Sequence, residues 1–295
     1  MNLTRSLVIK LYYFKNKVNS TTIKIKDENN NTKIISCSNP NIKSSKLEIH
    51  FIASGHYDDS ILVRTDQKTI YIDGGREGCK DKDITYLNEL GVKKIDYMIG
   101  SHGDFDHMGD SIYLINNYKV KNVVFNCGEF NELEKELIKV LDKKKIKYHS
   151  CIKELNIDNK KLYFLQTKEY DNENDNSNVI YTELDGYKFM FMGDAGIDKE
   201  KDILNKYNLS NIDVLKVGHH GSKTSSSKSF INEINPKNSI ISVGKNNRYG
   251  HPNKEALNNL EDSKVYRTDQ DGSIIFKIKN NKLKIKTCSP LKRKW

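Results

Sequence analysis

One stretch of ten residues, Ser101 to Asp110, constrains this chain more than any other. It reads SHGDFDHMGD and places His102, Asp104, Asp106 and His107 within six positions. An apolar, strand-like run from Ile95 to Gly100 leads into it, and a helical pattern from Met108 to Tyr118 leads out. In an extended loop between strand and helix, side chains at alternate positions share a face, and the last one turns back across it. Two carboxylates and two imidazoles gathered there are costly without a cation, because like charges at close range cannot all stay ionised. The arrangement suits two metal ions better than one. A loop that only capped the next helix would need Asp106 but would have no use for two histidines.

Other candidate ligands follow the same rule of position. Asp73 closes the apolar run TIYID just before Gly74 and Gly75. Asp194 ends YKFMFMGD, and His219 and His220 follow DVLKVG. Each lies just beyond an apolar strand pattern, the edge at which layered α/β proteins assemble sites. Asp194 is well suited to bridge two cations, one oxygen to each. His251, before Pro252, either lines the pocket or opens a helix. His50, His56 and His149 read as structural or surface residues, with the GHYDDS loop leaving open that His56 faces the site.

From residue 46 onwards strands first form hairpins and then alternate with helices, with no repeat period. LEIHFIA, SILVRT and TIYIDGG open the pattern. EFNELEKELIKVLDKKK is an amphipathic helix, with Leu133, Leu137, Ile138 and Leu141 at helical spacing. Residues 1–45 form a separate small β extension and linker, with strand-like SLVIKLYYF, TTIKIK and KIISCS and no recognisable chemistry; residues 46–295 form the main domain.

Taken in order, LEIHF, IDGG, SHGDFDHMGD, NDNS, GDA, LKVGHHGS and RYGHP resemble the metallo-β-lactamase superfamily. The resemblance is most specific to the hydrolase domain of ComEC-type competence proteins. It implies an α/β fold, the αββα sandwich, with a site at one rim that holds two divalent ions, zinc or manganese. By resemblance His102 and Asp104 belong to one ion and Asp106 and His107 to the other. Asp194 bridges, and His220 is the preferred last ligand, with His219 its alternative. Asp106, Asp194 and His251 are the candidate catalytic residues. The sequence departs from the family where many members carry a further histidine: only KLYFLQTKEYDNENDNSN stands there. Either Asn174, Asp175 or Asn176 acts in its place or the first ion keeps an open position, with Asp73, Asn174 and Asn176 as supporting residues. SGHYDDS replaces a GQGD-like turn, and the membrane channel of the competence proteins is absent from this sequence.

The formal net charge of +10 is either an ordinary lysine-rich surface or a field that favours acidic partners. The expected function is hydrolysis of an anionic phosphoester, nucleic acid or a nucleotide foremost, by a metal-bound hydroxide. Asp104, standing where a histidine is common, makes the site richer in oxygen and shifts preference from zinc towards manganese. Hydrolysis of another ester, such as a choline-phosphate ester or a lactone, is the second enzymatic reading. A binding or regulatory module with a degenerate metal site is the reading from a different class. The five cysteines, Cys37, Cys79, Cys127, Cys151 and Cys288, include no CxxC pair and are odd in number. They read as reduced thiols of a cytoplasmic protein. No stretch reaches the length of a membrane span.

Overall fold

The computed structural model describes residues 20–26, 32–38, 47–55, 58–76 and 80–288. The expectations for SLVIKLYYF and His56 lie outside them. Strands β1 (Ser20–Lys26) and β2 (Thr32–Ser38) pair antiparallel as a separate two-stranded sheet. The first half of the main body contains β3 (Leu47–Phe51), β4 (Ile61–Thr65), β5 (Thr69–Ile72), α1 (Lys80–Glu89), β6 (Lys94–Ile95) and β7 (Tyr97–Ile99). It continues through α2 (Phe105–Met108), α3 (Ser111–Asn117), β8 (Lys119–Val120), β9 (Asn122–Phe125), α4 (Glu132–Lys144) and β10 (Lys147–Ser150). The second half has β11 (Glu154–Ile157), β12 (Lys160–Phe164), β13 (Ile180–Leu184), β14 (Tyr187–Phe191), α5 (Ile197–Lys206) and β15 (Val214–Lys216). It ends with α6 (Lys228–Ile234), β16 (Asn238–Ile241), α7 (Lys254–Asn259), β17 (Lys264–Arg267), α8 (Thr268–Asp271), β18 (Ser273–Lys279) and β19 (Lys282–Cys288).

Two large sheets result. The eight-stranded one runs β10-β9-β7-β5-β4-β3-β18-β19, and the seven-stranded one runs β11-β12-β13-β14-β15-β16-β17. The alternation of side chains along each strand sorts the apolar residues into three layers. Ile61 and Val63 of β4, Ile70 and Ile72 of β5, and Phe189 and Phe191 of β14 fill the space between the sheets. Leu62 and Tyr71 face the other way, against Leu87 of α1, Leu114 of α3 and Leu137 of α4. Met190 of β14 packs outward with Ile203 of α5 and Phe230 of α6. Helix, sheet, sheet, helix is the expected αββα sandwich. Phe51 stacks on Phe191 across the central layer at 6.1 Å, and Phe276 meets both Phe51 and Phe189 edge-on. Aromatic pairs in these geometries add to the burial of their area.

Parallel pairing brings the working strand ends to one edge of each sheet: β5, β7 and β9 in the first, β14 to β17 in the second. The helix expected from Met108 to Tyr118 is divided at Gly109 and Asp110 into α2 and α3. No helix among the described residues is long and apolar enough to cross a membrane.

The cysteines need correction. Cys127 and Cys151 form a disulfide, with Cα atoms 4.4 Å apart, and Cys288 is disulfide-bonded as well. Cys127 and Cys151 follow the ends of β9 and β10, whose parallel register pairs Phe125 with Ser150. Adjacent parallel strands of matched register thus deliver the two thiols side by side. The reading as reduced thiols is overturned for these three, which removes the cysteine argument for the cytoplasm, while Cys79 lies outside the described residues. The bridge closes a loop over a sequence separation of 24. Replacing both cysteines by serine should lower the unfolding free energy by about 3 kcal/mol. Urea titration of the oxidised parent and the double variant checks this, and equal midpoints would contradict it.

Candidate metal centre

The loop after β7 is held from several sides. The Ser101 amide donates to Asp73 Oδ1 at 2.7 Å, and the Gly74 amide donates to the His107 carbonyl. Helix α4 starts with a reciprocal cap, Asn131 and Glu134 each accepting the other's amide. The Asn131 side-chain Nδ2 then donates to the Gly103 carbonyl at 2.8 Å. Glu173 Oε1 accepts from the Gly103 amide at 2.9 Å and from Asn126 at 3.1 Å. Two neighbouring elements therefore grip the single residue between His102 and Asp104.

The second sheet supplies its groups from strained backbone. His219 and His220 take consecutive left-handed conformations, φ 46° and 52°, and Asp73 on the first sheet has φ 59°. Such conformations cost free energy in non-glycine residues and persist where the surroundings enforce them. Gly193, before Asp194, has φ 55°, and a Cβ there would come within 2.8 Å of Ser101 and 2.9 Å of Ser177 Oγ. Its lack of a side chain lets the loops from the two sheets close on one another.

These loops bring Asp106, His107, Asp194 and His220 together, with one potential ligand atom from each lying within 4.8 Å of all the others. His107 Nε2 is 3.2 Å from Asp194 Oδ1. His220 Nε2 is 3.5 Å from Asp106 Oδ2 and 3.7 Å from Asp194 Oδ2. His102 Nε2 is 3.5 Å from Asp104 Oδ2, and the His102 and His107 rings lie 4.2 Å apart. His219 Nε2 also comes within 3.7 Å of Asp194 Oδ2, but its side chain is 27% exposed where that of His220 is 2% exposed. His251 stands 5.8 Å from the His219 ring, stacked on Tyr249.

The outer nitrogens decide which inner nitrogens are available. His220 Nδ1 lies 2.9 Å from the Ser242 carbonyl, which can only accept, so this nitrogen carries the proton. His107 Nδ1 meets Asp73 Oδ2 at 3.0 Å in the same way. Neutral imidazoles oriented so present a bare Nε2 lone pair, the arrangement that metal-ligating histidines use. The Nε2 atoms of His102 and His107 and Oδ1 of Asp194 are buried and make no directed hydrogen bond among the described residues. Buried polar atoms are rarely left so, and imidazole and carboxylate donors fit a divalent cation.

Electrostatics agree. Burial works against a charged His107, yet Asp194 and Asp73 hold its proton affinity well above the ordinary value. Burial likewise opposes ionisation of Asp194, and His107 and His220 hold its carboxyl well below the usual range. For Asp106 the same opposition is overcome by the imidazole of His220 3.5 Å away and the charge of His107, leaving it at about 2. The carboxylates around His107 thus favour its protonated form until another cation takes the proton's place.

The NDNS segment behaves differently from expectation. Asn176 uses its amide on the main chain of Tyr170, and Asp175 accepts from the Gly196 amide at 2.7 Å. Asn174 contributes its amide to a turn closed by Asn172. Ser177 is the residue that reaches the cluster: its Oγ accepts from the Asp194 amide at 3.1 Å and lies 3.4 Å from His102 Nδ1. Ser101, Ser177, Ser242, Asp59 and Lys216 all escaped sequence reasoning. Lys216 sits in an apolar strand, but a lone lysine there reads as a solvated position. His50 is buried and bonded to Tyr86 and Glu48, and His149 lies on β10, as structural or surface positions.

The family model described as the metallo-beta-lactamase superfamily matches residues 55–245. The chain belongs to this superfamily. It is 35% identical over 204 residues to ComE operon protein 3 of Bacillus subtilis (strain 168), covering 67% of this chain and 26% of that protein. It is 29% identical over 243 residues to competence protein ComA of Neisseria gonorrhoeae, covering 80% of this chain and 33% of that protein. The chain thus spans a third or less of the length of these two relatives. Among solved structures, the metallo-beta-lactamase fold protein YhfI from Bacillus subtilis aligns with a TM-score of 0.53 at 12% identity, covering 78% of this chain and 98% of that one. That likeness speaks to the fold alone. Members of this superfamily generally bind divalent metals, and the clustered donors belong to that pattern.

Because His107 must lose its proton before its second nitrogen can ligate, cation uptake should release protons. Its raised proton affinity sets the sign: affinity for Mn²⁺ or Zn²⁺ weakens as pH falls through neutrality, by about tenfold per pH unit for each proton displaced. Competition titrations at pH 6 and pH 8 check this, and equal affinities would contradict it. Asp106→Ala with His107→Ala should lose bound metal while the circular dichroism of the sandwich is kept.

Proposed function

We propose that this chain is a metal-dependent hydrolase that cleaves phosphodiester bonds in nucleic acid or nucleotides. The observation that carries the reading is the donor set: Asp106, His107 and His220 gather around Asp194 from both sheets, with His102 and Asp104 paired beside His107. Asp106, His107, Asp194 and His220 would hold one cation, and His102, Asp104 and the far side of Asp194 a second, with His219 at the rim. Two divalent ions bound there, manganese favoured over zinc by the carboxylates, supply Lewis acidity towards a phosphoryl oxygen and lower the pKa of water.

The chain's own residues supply the rest. Asp194 is held by Ser177 and lies between the two donor groups. Burial lowers the proton affinity of His251, and His219 beside it adds to the effect. At neutral pH His251 is therefore an uncharged imidazole at the rim, able to accept or pass a proton as the ester opens. The surface beside the cluster suits a polyanion that carries bases. Phe105 and Tyr249 are exposed by 59% and 50%, and the Arg248 guanidinium lies 4.7 Å from the centre of the Tyr249 ring. Aromatic faces with an adjacent guanidinium favour stacked bases and their phosphates. Competence proteins among its relatives are compatible with a nucleic-acid substrate.

Asp194→Asn keeps the shape of the side chain and removes its charge. Turnover of an oligonucleotide with added Mn²⁺ should fall on the order of a hundredfold, since a reacting group displaced by about 1 Å loses that much. His251→Ala should retain metal and lose activity. Metal content and turnover are measured together on both variants. Parent-like turnover by Asp194→Asn would refute the mechanism. A parent without stoichiometric metal or phosphodiesterase activity would leave the binding-module reading in its place.

A further inference from the structure

Beneath the cluster, an ion pair links the two halves of the sandwich. Asp59 lies in the loop before β4, on the first sheet, and Lys216 is the last residue of β15, on the second. Lys216 Nζ is 2.6 Å from Asp59 Oδ2, and each side chain is 1% exposed. The approach lies off the direction of a good hydrogen bond, and Asp59 Oδ1 makes none among the described residues.

Each partner also holds a ligand-bearing loop. The Asp59 amide donates to the Asp106 carbonyl at 3.2 Å, and its Oδ2 lies 3.9 Å from His107 Nδ1. Asp59, Asp73 and His107 gather their polar atoms within 4.8 Å. Lys216 Nζ donates to the Val217 carbonyl at 2.9 Å, where the backbone turns towards His219 and His220. One pair of residues, Asp59 through its amide and carboxylate and Lys216 through its ammonium, therefore touches the loop carrying Asp106 and His107 and the loop carrying His220.

Stability does not account for such a pair. Burying two charges carries a desolvation cost that their attraction seldom exceeds, and apolar residues of similar volume often do as well or better. Both side chains are almost wholly buried, between the apolar central layer and the donor cluster. An Asp and a Lys in that environment need a different reason. We propose that Asp59 and Lys216 are a positioning pair that clamps the two sheets at the floor of the centre and fixes the separation of His107 from His220. The inference rests on the metal-centre reading above and goes further by assigning the distance between the donors to two residues that are not ligands. Groups that orient ligands in this way commonly change metal affinity by about 10- to 100-fold when removed.

The test uses Co²⁺, whose visible absorption reports the geometry of its ligands. The double variant Asp59→Asn with Lys216→Met removes both charges and keeps the side-chain volumes. In chelator its thermal midpoint should equal or exceed the parent's, because no unpaired charge is left buried. Its affinity for Co²⁺ should nevertheless fall at least tenfold, with an altered absorption spectrum. A double variant with parent affinity and spectrum would overturn the proposal. Should it fail to fold, Asp59→Asn alone decides: it keeps the shape and an acceptor for Lys216, and the same loss of affinity is expected. Parent-like Co²⁺ binding by that variant would overturn the proposal equally. Failure of the parent itself to bind stoichiometric Co²⁺ would refute the metal-centre reading, a result distinct from either variant behaving like the parent.

Discussion

The contact between the carboxylate of Asp194 and the imidazole of His107 is the one on which the site depends. It joins a loop of the second sheet to a loop of the first at 3.2 Å. His219 and His220 approach the same carboxylate from the other side, both at 3.7 Å. Each group is costly to bury alone, and each is tolerable because the others are present. The sandwich therefore has a polar rim whose charges balance only when both sheets are docked. The central apolar layer brings the sheets together, and the rim specifies how they meet.

The supporting structure shows what this balance requires. His219 and His220 are held in left-handed backbone, Gly193 gives up a side chain, and Asp73 sits at positive φ. These features come at the ends of strands whose interiors follow ordinary alternation. Ser101 stands 3.0 Å from His102 Nδ1 and 3.1 Å from His107 Nδ1, and Ser177 adds a second hydroxyl on the His102 side. Small hydroxyl side chains suit this role because they bond imidazoles without adding charge to a site already rich in carboxylate.

Much of the fold and most of the cluster were legible in the sequence because strand ends are local features. Asp73, His102, Asp194 and His220 each follow an apolar run, and a run that ends in Gly, Asp or His announces a loop. What could not be read depends on partners distant in sequence. Lys216 in DVLKVG alternates like a surface residue, and only the docking of β15 over the loop before β4 buries it against Asp59. Ser177 looked no different from its neighbours in NDNSN, where the amides drew attention because they resemble ligands. KYHS and ELNI gave no strand signal, yet they form β10 and β11 at sheet edges, where one side has no apolar neighbour to satisfy. The disulfide misled for the same reason: cysteine count is a property of composition, whereas pairing follows from the register of β9 against β10.

That bridge also bears on the centre. Cys127 is next to Asn126, whose amide donates to Glu173, and Glu173 accepts from the Gly103 amide between His102 and Asp104. The covalent link, the loop carrying Glu173 and the first pair of candidate ligands thus form one connected path of short contacts. The opposite side of the cluster is braced differently, by Asp59 and Lys216 across the sheets and by Ser242 behind His220. Groups outside the donor set thus contact it from both sides. Donors held in advance lose little further conformational freedom on binding, so more of the electrostatic attraction is left to act on the cation and its substrate.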